Sequence, residues 1–491
     1  MLSGMAAKGY ASSHELPSSS IDSVASLQQK ILYSIFDLHF VEADSMLDLL
    51  STRLPGNPEP QYLENYLEFL DALIKGDIGS FQNYQESSGK RIESIKDGKR
   101  DHAGSFTALS TIHLQSSVLC AYHNEMFRAA KHLYYSNRYL RQGEETEVGS
   151  ARKFRNRGIL ILFGVSAPDE YHWLLKVIGL RGGFDEGMGY LEEYYSFAEG
   201  AERLEAYLLF KYAGHTLSSE GTSIADGETY GEHARTLILY SGALEDLSSG
   251  NSQGVVDSLG SYFQDPDERE FPYLNLILGE ALLNILDPGA DISLKLFTEK
   301  NESIHYRHYA WHKLSWSYFL KDEWESYQDA RLKVINIAEP ILDADRQALS
   351  EAMDTLPLNK NLLKSRLLFD GGNYTIAIEL LGDTAISTLL NKKDSLEFSY
   401  RKARIFDRLG ENDKAIRNYE NVIDEGSGES WYYAPNAALH LGMIYESKGN
   451  SEKALELYKK CLKINHSAYK KSIDYKARQG IRRIEELEKL R

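Results

Sequence analysis

Leu441–Gly442–Met443–Ile444–Tyr445, continuing through Gly449, Ala454, Leu455 and Tyr458, is the stretch whose reading decides the fold of this 491-residue chain. Apolar residues recur at helical spacing on both sides of Gly449, so two helices meet there at a turn. Gly442 and Ala454 are small where a hairpin's two helices cross, which lets the backbones approach closely. Leu441, Tyr445 and Tyr458 fill the gaps around that crossing. Gly449 supplies the left-handed backbone conformation that ends the first helix. The stretch encodes a helical hairpin.

Working outward, the same arrangement recurs upstream. Gly410 with Ala415 and Gly372 with Ala377 show the five-residue offset of Gly449 and Ala454, and Gly250 precedes Val255 by the same interval. Leu278–Gly279 with Leu282 opens one further hairpin, and Trp311 with Leu314, Ser315 and Tyr318 opens another. The aligned positions 279, 315, 365, 403 and 442 are separated by 36, 50, 38 and 39 residues. The spacing L-G-x2-Y-x3-G-x4-A-x3-Y resembles the core signature of the tetratricopeptide repeat, whose period is about 34 residues. The hairpins here are therefore lengthened, and the interval from 315 to 365 carries an insertion. The resemblance implies an all-α fold, a right-handed solenoid of antiparallel helix hairpins. In it Trp311, Leu314, Tyr318, Gly410, Ala415, Leu441, Gly442, Tyr445, Gly449, Ala454 and Tyr458 pack one repeat on the next.

The N-terminal half is more divergent. Phe40, Ala43, Leu47 and Leu50 followed by Pro55 read as a second helix and its end, with Pro55–Gly56–Asn57–Pro58 as the turn. Tyr62, Tyr66, Phe69, Leu70 and Leu73 follow on one face of an amphipathic helix. A further pair extends from Phe106 to about Arg141, with Phe127 and Ala130 as its inner contact. An apolar run from Gly158 to Gly164 leads through Pro168, Tyr171 and Trp173 to Gly179, Gly182 and Gly183, which end one helix. Gly187 then lets the next approach closely. This segment resembles the inclusion-body clearance protein family and its tetratricopeptide relatives, with Leu180 where that family carries an aromatic. The resemblance implies an N-terminal helical-repeat domain without enzymatic activity. Leu217 to Gly231 reads as a mobile loop of Gly, Ser, Thr and acids.

Beyond Asn465, Ile473, Ala477, Ile481, Ile484 and Leu487 form one apolar stripe on a charged helix, suited to covering the open end of a repeat array. The expected organisation is a flexible leader (1–25), a divergent helical-repeat domain (26–260), tetratricopeptide-like repeats (261–465) and an amphipathic capping helix (466–491).

The net charge of −17 disfavours nucleic-acid phosphates and anionic lipid as partners. The charge is uneven: from Lys453 to Arg491 there are 12 Lys/Arg against 5 Asp/Glu, which reads as a solvated cap or as a docking surface for an acidic partner. Cys120 and Cys461 form no ligand pattern and read as core thiols. No apolar run approaches the roughly 20 residues needed to span a bilayer. The protein is expected in the cytoplasm. The alternative is a periplasmic or exported protein, if Ala6 to Ser13 is the tail of a signal peptide whose start was placed too late.

His305, His308 and His312 at i, i+3 and i+7 share one helical face and are the only candidate metal ligands, with solvent-facing or groove-facing histidines as the plainer reading. Arg152, Lys153, Arg155 and Arg157 cover much of a helix circumference and read as a solvated helix start. Gly179 to Gly189 follows a helix and lacks the spacing of a phosphate loop, and no catalytic motif occurs. The chain is therefore expected to be no enzyme and to need no cofactor. Its expected function is a protein–protein interaction scaffold that holds a peptide or partner protein in the solenoid groove, with Tyr400 and Asn418 on helices that could line it. The alternatives are a structural component of an exported or membrane-associated assembly, and a metal-dependent enzyme using the histidine face.

Overall fold

The computed structural model describes residues 23–98, 104–146, 150–167, 172–217, 233–264, 271–382, 389, 391–466 and 468–489, and its helices, 24 among these residues, are the regular elements. Most of the leader, Pro168, Tyr171 and the 218–231 part of the expected loop lie outside them.

Eight helix pairs are joined by one and the same turn. They are α1 (Val24–Phe36) with α2 (Phe40–Arg53), α5 (Ser105–Tyr122) with α6 (Met126–Thr146), and α11 (Arg235–Ser249) with α12 (Ser252–Tyr262). Next come α13 (Pro272–Asn284) with α14 (Ala290–Lys300) and α15 (Arg307–Leu320) with α16 (Trp324–Asn336). The last three are α18 (Lys360–Asp370) with α19 (Tyr374–Gly382), α20 (Lys392–Arg408) with α21 (Asn412–Gly426), and α22 (Tyr433–Ser447) with α23 (Ser451–Lys463). In each, one residue takes positive φ, and the next amide donates to the carbonyl five residues before it, as in Asn450 N to Tyr445 O at 2.9 Å. This is the Schellman closure, which satisfies carbonyls left open at a helix end. Glycine holds the positive φ in four turns (Gly250, Gly372, Gly410, Gly449), and Leu38, Asn124, Leu286 and Asp322 hold it in the other four. Ala43, Ala129, Ala377, Ala415 and Ala454 stand five residues on and are buried.

The last hairpins stack on immediate neighbours, α20 to α23 and then α24 (Lys470–Lys489), around one continuous core. Tyr458 shows why small residues are required there. Its buried ring lies between Gly442 and Gly480, and a Cβ on Gly442 would come within 2.7 Å of the ring, a Cβ on Gly480 closer still. Ile473, Ala477 and Ile484 of α24 are buried in the same core, while Leu487 is 57% exposed and is not part of the packed stripe. In the N-terminal half Phe127 is likewise not an inner contact: it is 76% exposed, and Ala129 and Ala130 carry the packing.

The insertion between 315 and 365 is α17 (Asp343–Met353). Its Asp345, 1% exposed, accepts from the backbone N–H groups of Tyr306 (2.8 Å) and Tyr309 (2.9 Å). The N-cap residue Tyr306 makes no side-chain cap bond, so α17 supplies the acceptor for α15.

Between these pairs the chain forms α3 (Pro58–Lys75), α4 (Ile78–Asp97), α7 (Arg152–Ser166), α8 (His172–Val177), α9 (Phe184–Phe197) and α10 (Gly200–Leu217). The crossing of α7 and α9 depends on two glycines. A Cβ on Gly158 would meet the Gly187 carbonyl at 2.9 Å, and one on Gly187 would meet Leu162 at 2.7 Å. α10 returns to α1, where Gln29 Oε1 accepts from Ala201 N at 2.7 Å.

The 260/261 division falls inside α12, and the core there is continuous, joining Leu38 and Ile74 to Leu259, Phe297 and Ala330. Ile304 N also donates to Gly76 O at 3.2 Å, and the turn at Gly372 rests against the turn at Gly250. No helix of the described residues is long and apolar enough to cross a membrane.

Candidate functional site

The first helices of the C-terminal hairpins, α18, α20 and α22, together with α24, wall a cavity of about 740 Å³. Arg401, Arg404 and Arg408 stand at i, i+3 and i+7, so α20 presents all three on one face. Arg366 and Asp370 come from α18, Asn436 and His440 from α22, and Lys476 from α24. Leu439, Met443 and Ile444 add an apolar strip beside them.

Hydrogen bonds and stacking hold this wall in place. Arg404 Nη1 and Asn436 Nδ2 both donate to the Tyr400 hydroxyl at 3.0 Å, and the Arg404 guanidinium lies 4.9 Å from the Phe369 ring centre. Arg366 pairs with Glu351 at 3.1 Å and covers the Trp316 ring at 4.7 Å, while Arg401 pairs with Glu397 at 2.8 Å. The lining itself carries five Arg/Lys (Arg366, Arg401, Arg404, Arg408, Lys476) and two carboxylates (Asp370, Asp407). Glu351 and Glu397 match two of the five from outside.

The remaining positive field shows in the titrating groups. Burial, then Arg404, Lys476 and Arg408, hold the His440 imidazole well below its ordinary range, so it is neutral at pH 7. Burial and Arg404 also push the Lys476 ammonium down. Asp407 lies 4.0 Å from His440; burial raises its carboxyl, while the Tyr419 hydroxyl, Arg404 and Arg408 act to lower it. Burial is the larger cause of both shifts, and the neighbouring cations add to it, so the wall carries a net positive charge.

Tyr400 thus sits in this wall, whereas Asn418 is on α21, donates to the Lys414 carbonyl at 2.8 Å and takes no part in it. The residues expected to pack repeats are distributed as follows. Leu314, Tyr318, Ala415, Leu441, Gly442, Ala454 and Tyr458 are buried, Tyr445 and Trp311 half-buried, and Gly410 and Gly449 occupy their turns. The Lys333 ammonium lies 3.9 Å from the Trp311 ring centre.

His305, His308 and His312 do not share a helical face. Tyr306 takes positive φ and α15 begins only at Arg307, so His305 lies before the helix. All three are buried, His312 also lining a cavity walled in part by α17, and each goes to a different neighbour. His305 packs on Tyr122, His308 lies 3.9 Å from Asp345, and His312 Nε2 is 3.1 Å from Glu351. Among the described residues no group of three or more His, Cys, Asp or Glu is placed to hold a metal ion. Cys120 and Cys461 are buried, and burial pushes their thiols up to about 11 and about 12.

The Arg152–Arg157 cluster is not a solvated helix start. Arg155 is 1% exposed, binds both Glu205 oxygens at 3.0 Å, and donates to Tyr62 (2.9 Å) and Thr111 (2.8 Å). Tyr66 and Tyr194 complete the Glu205 carboxylate at 2.8 and 2.7 Å. Arg152 bridges Glu59 and Glu202, and Arg157 holds Glu144. Four cations close in sequence look solvated until the acids on α3, α6 and α10 are folded against the three arginines and the Gly143 carbonyl against Lys153.

The fold and this groove define a helical-repeat protein with a basic concave wall. Residues 400–467, which carry most of that wall, match the family model described as tetratricopeptide repeat. Among solved structures the chain is similar to the tetratricopeptide domain of P58(IPK), at 13% identity over 87% of this chain and 98% of that one, with a TM-score of 0.24. It is also similar to the apo form of RapI, at 11% identity over 90% of this chain and 97% of that one, with a TM-score of 0.26. No curated protein sequence matches.

Proposed function

We propose that the protein is a non-enzymatic interaction scaffold whose α18–α20–α22–α24 groove takes an extended acidic segment of a partner protein. The observation that carries this reading is a groove lined by five Arg/Lys and two carboxylates inside a chain of net charge −17; His440 and Lys476, depressed by burial and then by Arg404, agree with it. A carboxylate placed between them gains charge-assisted hydrogen bonds and relieves the repulsion among the cations. Leu439, Met443 and Ile444 accept aliphatic side chains interleaved with the acids. In this reading the basic C-terminal helix has two roles: Ile473, Ala477 and Ile484 pack on the stack, and Lys476 lines the groove.

The test is fluorescence anisotropy with a labelled ten-residue peptide of alternating Glu and Leu, against the same peptide with Gln for Glu. The acidic peptide should bind, weaken with added salt, and lose at least tenfold in affinity to the Arg408→Glu, Lys476→Glu double variant. Equal binding of the Gln peptide, or indifference to the double variant, refutes the reading.

A further inference from the structure

A second cavity, of about 560 Å³, lies on the inner side of the N-terminal half. Its walls come from α1, α3, α5, α7, α9, α10 and α11, and Phe271, Tyr273 and Tyr306 close it from the other half of the chain. Phe69, Leu114, Ile159, Phe163, Leu209 and Tyr240 give the wall its character, which is aliphatic and aromatic. The cavity falls within the usual 300–1,000 Å³ of small-molecule sites.

Two features of its lining narrow the ligand. Arg155 and Glu205 are the only Arg, Lys, Asp or Glu in that lining, and they neutralise each other at 3.0 Å within their shell of hydroxyls. A charged head group would be stripped of water and meet no uncommitted counter-charge. Gln115, 6% exposed, is the second feature. Its Oε1 accepts from Asn65 Nδ2 at 2.7 Å, and Asn65 is oriented by its Oδ1 facing the Arg91 guanidinium at 3.5 Å. That leaves Gln115 Nε2, a donor, with no acceptor among the described residues. Buried donors are nearly always matched.

We infer that this chamber binds an uncharged amphiphile, a single hydrocarbon chain ending in an alcohol or ester oxygen, with that oxygen accepting from Gln115 Nε2. The chain replaces water along the apolar wall, which is the main source of affinity. The oxygen satisfies the unmatched donor once the buried Gln115 amide turns toward the chamber it lines. Because Phe271, Tyr273 and Tyr306 share the wall with helices of the N-terminal half, an occupied chamber also ties the two halves together.

The experiment uses the full chain and N-phenyl-1-naphthylamine, whose fluorescence rises in apolar sites, with tetradecanol and tetradecanoate as competitors. The expected result is saturable binding of one equivalent, displaced by tetradecanol at a concentration at least tenfold below that needed for tetradecanoate. Val118→Trp, which fills the chamber from α5, should abolish binding. Gln115→Leu should weaken tetradecanol about tenfold, the loss of one hydrogen bond, and leave the naphthylamine unaffected. Absence of saturable binding by the unmodified chain overturns the site, whatever the variants do. Displacement by tetradecanoate as good as by tetradecanol, or indifference of tetradecanol to Gln115→Leu, overturns the uncharged, oxygen-headed ligand.

Discussion

Substituting alanine for glycine at three equivalent turns separates local strain from tertiary contact. Gly372, Gly410 and Gly449 have φ of +82°, +75° and +74° and close the same turn. In Gly410→Ala and Gly449→Ala the new methyl meets nothing within 4 Å. Left-handed backbone costs an L-residue roughly 1–2 kcal/mol, and the stiffer unfolded chain returns about 0.4–1 kcal/mol, so each should lose about 0.5–1 kcal/mol. In Gly372→Ala the methyl lands well under 3 Å from the Gly250 carbonyl oxygen and 3.1 Å from its carbon. Both are backbone atoms of another turn, so the neighbour cannot rotate aside and the two turns must separate. Overpacking of this kind adds about 1–3 kcal/mol, for a total of about 1.5–4 kcal/mol. Urea unfolding gives the magnitude, but a repeat array can open in parts. The decisive assay is therefore amide hydrogen exchange at residues 247–251, more than 120 residues away in sequence. Faster exchange there in Gly372→Ala alone is the expected result. If Gly372→Ala matches Gly449→Ala within about 0.5 kcal/mol and leaves the Gly250 turn unchanged, the argument from close approach fails.

Three further outcomes follow from buried charge. Glu205→Gln strands Arg155 and turns one acceptor into a donor among donors, so α7 and α10 should lose roughly 3–5 kcal/mol of protection against exchange, much of it recovered in the Arg155→Met, Glu205→Leu pair. Burial raises the Glu446 carboxyl, but its bonds from Arg483 of α24 and Tyr458 outweigh that and hold it below 4.5. A depressed carboxyl contributes stability above its unfolded pKa and loses it as pH falls through the folded value. α24 should therefore exchange faster as pH drops below about 4.5, and Glu446→Gln should flatten that dependence. An anion in the basic groove raises the pKa of His440 by offsetting Arg404, Arg408 and Lys476, so binding takes up protons. Affinity for the acidic peptide should rise as pH falls through the raised, bound-state pKa of His440 and lose that slope in His440→Asn, as read by anisotropy.

The helical hairpins were legible because their signals are short-range. Gly449, Gly410 and Gly372 with an alanine five residues on report a turn and the start of the next helix within a dozen residues. The same turn at Leu38, Asn124, Leu286 and Asp322 was not legible, because there no glycine marks the positive φ. The spacing of Arg401, Arg404 and Arg408 puts them on one helical face, but a charged face is ordinarily a solvated one and marks no site by itself. That Lys476 and His440 join them, from helices 68 and 32 residues beyond Arg408, was not legible. His305, His308 and His312 show the opposite failure, since a spacing that suits a helix carries no information on where the helix begins.

Periodicity, turn residues and small crossing residues act between positions a few residues apart, and the chain alone determined by them an all-α array of hairpins with a terminal cap. The cost of burying a charge depends on what faces it from another helix. Only the tertiary structure decided that Arg155 is a sealed ion pair and Arg408 part of an open groove. Likewise it decided that Gly372 touches Gly250 while Gly449 touches nothing. In a folded array, neighbours in space come from helices whose distance along the chain no local spacing encodes.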